Sequence, residues 1–69
     1  MFLVDRRGPR ERAVETWREA ADLVSTRWAM FLESKPPERR GAFAAYVAAL
    51  DAEEAAAARI TRLAVRSAA

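Results

Sequence analysis

Two adjacent prolines, Pro36 and Pro37, stand in the middle of the chain and constrain its fold more than any other feature. Each proline lacks a backbone N–H and restricts the residue before it, so a helix cannot run through the pair. The third proline, Pro9, follows Gly8 near the start of the chain and suits the first turn of a helix. The sequence therefore predicts two long uninterrupted segments joined by a sharp turn.

The first segment has the pattern of an amphipathic helix over residues 9–34. Its apolar residues recur at alternating spacings of three and four, the period of a helix with one buried side, while charged residues occupy the opposite side. We predict that this apolar line belongs to the core of the molecule. Its members are Val14, Trp17, Ala21, Val24, Trp28 and Phe31.

The second segment predicts a helix over residues 38–67, after a turn at residues 35–37, and the first eight residues form an N-terminal arm. No proline and only one glycine, Gly41, interrupt this segment after Pro37. Its apolar line repeats with the same helical period. The members that we assign to the core are Phe43, Tyr46, Val47, Leu50, Ala57 and Ile60.

A second line on this helix consists of small residues only. Alanine fills 17 of the 69 positions, and Ala45, Ala49, Ala52 and Ala56 repeat at four-three-four spacing. Small side chains allow two helices to approach closely, but alanine is also the best helix former and accumulates where nothing else is required. We interpret the line in the second way and keep a close-packed helix interface as the alternative.

The two helices together predict an all-α fold, an antiparallel two-helix hairpin that forms one domain over residues 1–69. Folding the chain about Lys35 and Pro36 sets Trp28 near Phe43. Two helices cannot enclose a core, and an alanine-rich chain of this size buries little apolar area. We therefore predict that the hairpin dimerises across a twofold axis into a four-helix bundle of the coiled-coil type.

The composition excludes most catalytic chemistry. The chain has no Cys and no His, so it lacks thiol nucleophiles, the commonest general base and the usual zinc ligands. The Ser and Thr residues have no activating base, and the two glycines stand too far apart for a phosphate-binding loop. We expect no enzymatic activity, no cofactor, no bound metal and no small-molecule substrate.

Arginines are concentrated where the hairpin brings the chain ends together. They form a basic pole that can grip phosphates or an acidic protein, or that only complements the helix dipole and keeps the protein soluble. No aromatic residues are interleaved with them for base stacking, so nucleic acid is our second choice of partner. The pole comprises Arg6, Arg7, Arg10, Arg12, Arg59, Arg62 and Arg66.

Leu23 and Met30 lie on the first helix away from its apolar line, two turns apart. Exposed apolar residues in line on a helix are typical of a ridge that fills a groove on another protein, and Met adapts well to such surfaces. We predict that these two residues form the surface for a protein partner.

The apolar start of the chain, Met1 to Val4, is followed at once by Asp5, which leaves no room for the hydrophobic region of a secretory signal. No run of 18 uncharged apolar residues is present either. We therefore expect a cytoplasmic protein without a membrane partner.

These observations predict a non-enzymatic protein–protein interaction module. It would serve as a small adaptor, assembly factor or regulatory subunit and act as a homodimer of hairpins. The alternative is a small nucleic-acid-associated regulator that uses the basic pole.

Overall fold

The structure is a computed structural model of the chain. It describes residues 8–68, with the side chains of residues 8–66. Two helices, α1 (Pro9–Glu33) and α2 (Pro36–Ala68), pack against each other along their lengths. The predicted all-α two-helix hairpin is therefore confirmed. Apart from Gly8, the predicted N-terminal arm lies outside the described residues.

The start of α1 combines three features that favour helix initiation. Gly8 is the N-cap residue in an extended conformation, and Pro9 follows it at the first helical position. The carbonyl of Gly8 accepts a hydrogen bond from the backbone N–H of Arg12 at 3.1 Å. Glu11 lies in the first turn, where a carboxylate is favoured by the positive end of the helix dipole.

The connection between the helices is only two residues long. Ser34 caps α1, because both its backbone N–H and its hydroxyl donate hydrogen bonds to the carbonyl of Phe31, at 3.1 and 2.7 Å. The second helix begins at Pro36, two residues before the predicted start at residue 38. Pro36 and Pro37 both fit the first turn because the N–H groups that they lack have no helical acceptor there.

Aromatic contacts across the hairpin show its register. The ring of Trp28 lies 5.0 Å from that of Tyr46, and the ring of Phe31 lies 5.4 Å from that of Phe43. Trp28 is therefore level with Tyr46, nearly one helical turn beyond Phe43, the residue predicted to lie beside it. Ser34 is extended, so the chain continues past the end of α1 before α2 begins, and a later residue of α2 comes level with Trp28.

The most deeply buried residues of the contact between the helices are small. Ala13 on α1 and Ala49 on α2 are the two buried hydrophobic residues among those described, each 4% exposed. Ala45 and Ala56 are half-buried in line with Ala49, whereas Ala52 is exposed. Three of the four alanines of the small-residue line are therefore at least partly buried, and the larger contact residues lie around them.

The hairpin is thin for its length. Its radius of gyration is 15.8 Å, whereas a compact domain of 69 residues is expected to have about 11 Å. No large side chain among the described residues is fully buried. A single layer of two helices leaves one side of every large apolar residue near water.

Candidate interaction surface

Four aromatic side chains form a closed cluster in the half of the hairpin next to the turn. Trp28 contacts Phe31 and Tyr46, and Phe43 contacts the same two rings, with centroid separations between 5.0 and 6.4 Å. The guanidinium of Arg39 lies 5.1 Å from the centre of the Phe31 ring, within the range of a cation–π interaction. These contacts hold the rings in fixed orientations.

The apolar residues at the edge of the hairpin contact share one face. On α1, Ala21 and Trp28 each come one position after a half-buried residue of the contact. On α2, Phe43 and Leu50 each come one position after a half-buried or buried residue of the contact. One residue is a rotation of about 100° in a helix. Because the helices are antiparallel, this rotation turns both sets toward the same side of the hairpin. We call this the apolar face: Val14, Ala21, Trp28, Phe43, Val47, Leu50 and Ala57.

The apolar face is open to solvent in its aromatic half. Trp28 is 43% exposed, Phe43 49% and Val47 37%. Monomeric proteins rarely leave several large apolar side chains exposed side by side. This patch is therefore the strongest candidate for an interface on the described surface.

The residues that we predicted for the core divide into two groups. Half-buried in the hairpin are Val14, Trp17, Ala21, Val24, Phe31, Tyr46, Leu50 and Ile60, whereas Trp28, Phe43, Val47 and Ala57 are exposed. The exposed group lies on the apolar face. The hairpin contact thus covers one flank of the predicted apolar lines and leaves the other uncovered.

Ala13, Ala20 and Ala49 are contact residues that the sequence analysis left out of the core. They precede Val14, Ala21 and Leu50, which were assigned to the core, by one position each. The signal that identifies them is the repeated small residue at helical spacing, which permits the closest helix approach.

Leu23 and Met30 each come one position before a half-buried residue of the contact, whereas the members of the apolar face come one position after. The rotation of about 100° therefore runs in the other direction, and it turns Leu23 and Met30 to the opposite side of the hairpin. They are 41% and 50% exposed. The Met30 sulfur lies 3.8 Å from a guanidinium nitrogen of Arg27. Met30 also lines a shallow depression beside the turn, together with Glu33, Glu38 and Ala45, among others.

The basic pole is formed in part by the fold. Arg10 and Arg12 of α1 and Arg59 and Arg66 of α2 line one open depression at the far end of the hairpin, together with Glu11. Arg62 is exposed on the same stretch of α2 and does not line the depression. Arg6 and Arg7 lie outside the described residues.

Within residues 8–68, no group of three or more acidic side chains is arranged to hold a metal ion. Neither of the two helices contains an apolar stretch long enough to cross a bilayer. The described part of the chain therefore presents two kinds of surface for recognition, apolar and arginine-rich.

Comparison of the chain with known proteins finds no similarity: no protein-family model, no curated protein and no solved structure matches it.

Proposed function

We propose that this protein is a non-enzymatic interaction module that acts as a homodimer, in which two hairpins bury their apolar faces against each other as a four-helix bundle. In this role it serves as a small adaptor, assembly factor or regulatory subunit. The observation that carries the proposal is the open aromatic patch of Trp28, Phe43 and Val47, with exposed fractions of 43%, 49% and 37%.

The exposed area of the chain is large enough to include an interface with a second copy. The chain exposes 5810 Å², whereas a compact monomer of 7.7 kDa is expected to expose about 4,300 Å². A standard interface buries about 800 Å² on each partner. The excess is large enough to supply an interface of this class.

A second copy fits the apolar face by its chemistry. Each helix contributes an apolar line with helical spacing, and two such pairs of lines complete the core of a four-helix bundle. When a twofold axis passes through the interface, both copies use the same patch. Dimers with this symmetry are the commonest form of oligomer. No additional protein is needed to cover the aromatic residues.

The test compares two double variants that introduce the same charges on opposite faces. Val47→Asp with Ala57→Asp alters the apolar face at two positions that are exposed in the hairpin, whereas Leu23→Asp with Met30→Asp alters the other face. Light scattering after size exclusion at micromolar concentration should give a dimer for the unaltered protein and the second variant, and a monomer for the first. A monomeric unaltered protein with full helicity and a cooperative melt would overturn the proposal.

The same variants address the surface that we propose for a further protein partner, Leu23 and Met30. Their exposed side chains do not contribute to the apolar face. The Leu23→Asp, Met30→Asp variant should therefore keep its helicity, its melting temperature and the mass of the dimer, and lose only a partner recovered from native cell extract. If the variant unfolds or becomes monomeric, these residues belong to the bundle.

A nucleic-acid-associated regulator remains the second candidate, and a specific observation favours it. Four arginines from both helices line one depression, with one glutamate among them. Arginine guanidinium groups bind phosphate oxygens strongly, and binding to several phosphates weakens steeply with added salt.

An anisotropy titration with duplex DNA and duplex RNA at low salt tests this candidate. Binding at tens of micromolar or below that falls steeply with salt supports it. The Arg59→Gln, Arg62→Gln, Arg66→Gln variant should then bind less at unchanged helicity, while Arg40→Gln at the turn serves as the control. Absence of binding to both duplexes would exclude duplex nucleic acid as the partner.

A further inference from the structure

We infer that the two hairpins of the dimer pack with their turns at opposite ends, so that the aromatic half of each apolar face covers the small-residue half of the other. This inference rests on the proposed homodimer and specifies its geometry. The alternative is a dimer in which both turns lie at the same end. Both arrangements keep all neighbouring helices antiparallel, so side-chain size, register and charge must decide between them.

Side-chain size changes along the apolar face. Near the turn the face carries Trp28, Phe43 and Val47, which are exposed, while toward the open end it carries Val14 and Ala57. A close-packed core needs large residues opposite small ones. Turns at opposite ends satisfy this requirement, whereas turns at the same end bring all the large rings to one level and leave the other level underfilled.

The spacing on α1 makes this pairing self-consistent. Val14, Ala21 and Trp28 are separated by seven residues each. When two copies of α1 cross antiparallel with Ala21 against Ala21 of the second copy, Trp28 meets Val14 of the second copy. The largest side chain of this line then lies against one of its smaller ones, on both sides of the twofold axis.

The spacing on α2 gives the same centre. Phe43, Val47 and Leu50 lie on one side of Ala52, and Thr61, Ala57 and Glu54 lie at matching distances on the other. An antiparallel crossing at the level of Ala52 sets Phe43 against Thr61 and Val47 against Ala57 of the second copy, and it sets Leu50 level with Glu54, a charged residue that is exposed in the hairpin. The register of Trp28 with Tyr46, continued by seven residues, sets Ala21 level with Glu53. The centres of the two helices therefore coincide within one residue.

Charge favours the same arrangement. The open end carries Arg10, Arg12, Arg59 and Arg66 around one depression, whereas the turn carries charges of both signs, including Glu33, Lys35, Glu38 and Arg39. Turns at the same end would bring two arginine-rich ends together, and like charges close together repel. Turns at opposite ends separate them by the length of the bundle.

The absence of Cys from the natural chain allows a spin label to be placed at a single introduced cysteine. Lys35→Cys labels the turn at an exposed residue. With a rise of 1.5 Å per residue, turns at opposite ends separate the two labels by about 40 Å. Turns at the same end leave them within about 20 Å, since neighbouring helices lie 8–10 Å apart. Asp22→Cys, on the outer side near the middle, should change in the opposite sense. Its two labels lie on neighbouring copies of α1 when the turns are at opposite ends, and on diagonal copies that face away from each other, and so farther apart, when the turns are together.

The outcomes of the pulsed electron–electron distance measurement are distinct. A long distance for Lys35→Cys together with a short one for Asp22→Cys supports the inference. A short distance for Lys35→Cys together with a long one for Asp22→Cys overturns the inference and leaves the homodimer intact. No defined distance for either label, together with a monomeric mass, overturns both the inference and the proposed homodimer.

Cross-linking at the centre gives a second measurement. In the inferred dimer, Ala21→Cys faces its own copy across the twofold axis and should oxidise to a disulfide-linked dimer. With the turns together the two cysteines lie diagonally across the bundle, about 14 Å apart, which exceeds the reach of a disulfide. Ala29→Cys, an exposed alanine on the same helix, is the control. Equal cross-linking of both variants would overturn the inference.

Discussion

The half of the hairpin beside the turn and the half at its open end are held together by different means. Beside the turn, four aromatic rings span the two helices with centroid separations of 5.0 to 6.4 Å. Toward the open end no aromatic pair spans the two helices among the described contacts, and small residues such as Ala13, only 4% exposed, lie beside the half-buried Trp17 and Ile60.

The two halves also differ in what they leave exposed. Of the seven exposed large hydrophobic residues within residues 8–66, six lie between residues 23 and 47, and only Val65 lies near the open end. The open end instead exposes arginines around a depression. The described surface is thus apolar in the aromatic half and rich in arginine in the open half.

The largest expected effect comes from removing a ring beside the turn. Trp28→Ala deletes contacts with both Phe31 and Tyr46. In the proposed dimer, which buries this ring, the change should lower the free energy of unfolding by about 3 kcal/mol or more, as large-to-small changes of buried aromatic residues do. Chemical denaturation followed by circular dichroism measures this. Val65→Ala, at an exposed residue of the open half, should change stability by less than about 0.5 kcal/mol. Similar losses for both variants would contradict the difference between the halves.

A smaller loss is expected from enlarging the close contact of the open half. Ala13→Leu places a larger side chain where the residue is 4% exposed and should cost about 1–3 kcal/mol through overpacking. Ala29→Leu, on the exposed side of the same helix, is the control and should be nearly neutral. Thermal melts of the two variants would distinguish a close contact from a loose one. A neutral Ala13→Leu would show that the open half is not tightly packed.

The smallest effects come from the same substitution at the two glycines, and they have opposite signs. At Gly41, within α2 near the turn, an added Cβ meets no atom within 4 Å, so Gly41→Ala should stabilise the protein by about 0.5–1 kcal/mol. At Gly8, the N-cap residue of α1, an added Cβ would meet only the movable end of the Glu11 side chain, but alanine is a poor N-cap residue. Gly8→Ala should therefore lower the melting temperature and Gly41→Ala should raise it. A shift of both variants in the same direction would contradict this prediction.

The local features of the fold follow from the sequence because they depend on short-range chemistry. The prolines at positions 9, 36 and 37 mark the helix starts at Pro9 and Pro36, and the apolar spacing of three and four identifies the sides of the helices that turn inward. The start of α2 differed by two residues from the prediction, because Pro36 and Pro37 begin the helix instead of preceding it.

The arrangement of the helices was decided only by the tertiary structure. Each helix carries two neighbouring lines of apolar or small residues, such as Ala13 with Val14 and Ala49 with Leu50, and a rotation of about 100° exchanges them. The sequence pattern alone does not choose between such lines. The packing of the two helices buries Ala13 and Ala49 and joins the four rings, and the extended Ser34 at the end of α1 contributes to the register. The same packing leaves Trp28 and Phe43 exposed, since two helices share a single contact that covers one flank of each apolar line.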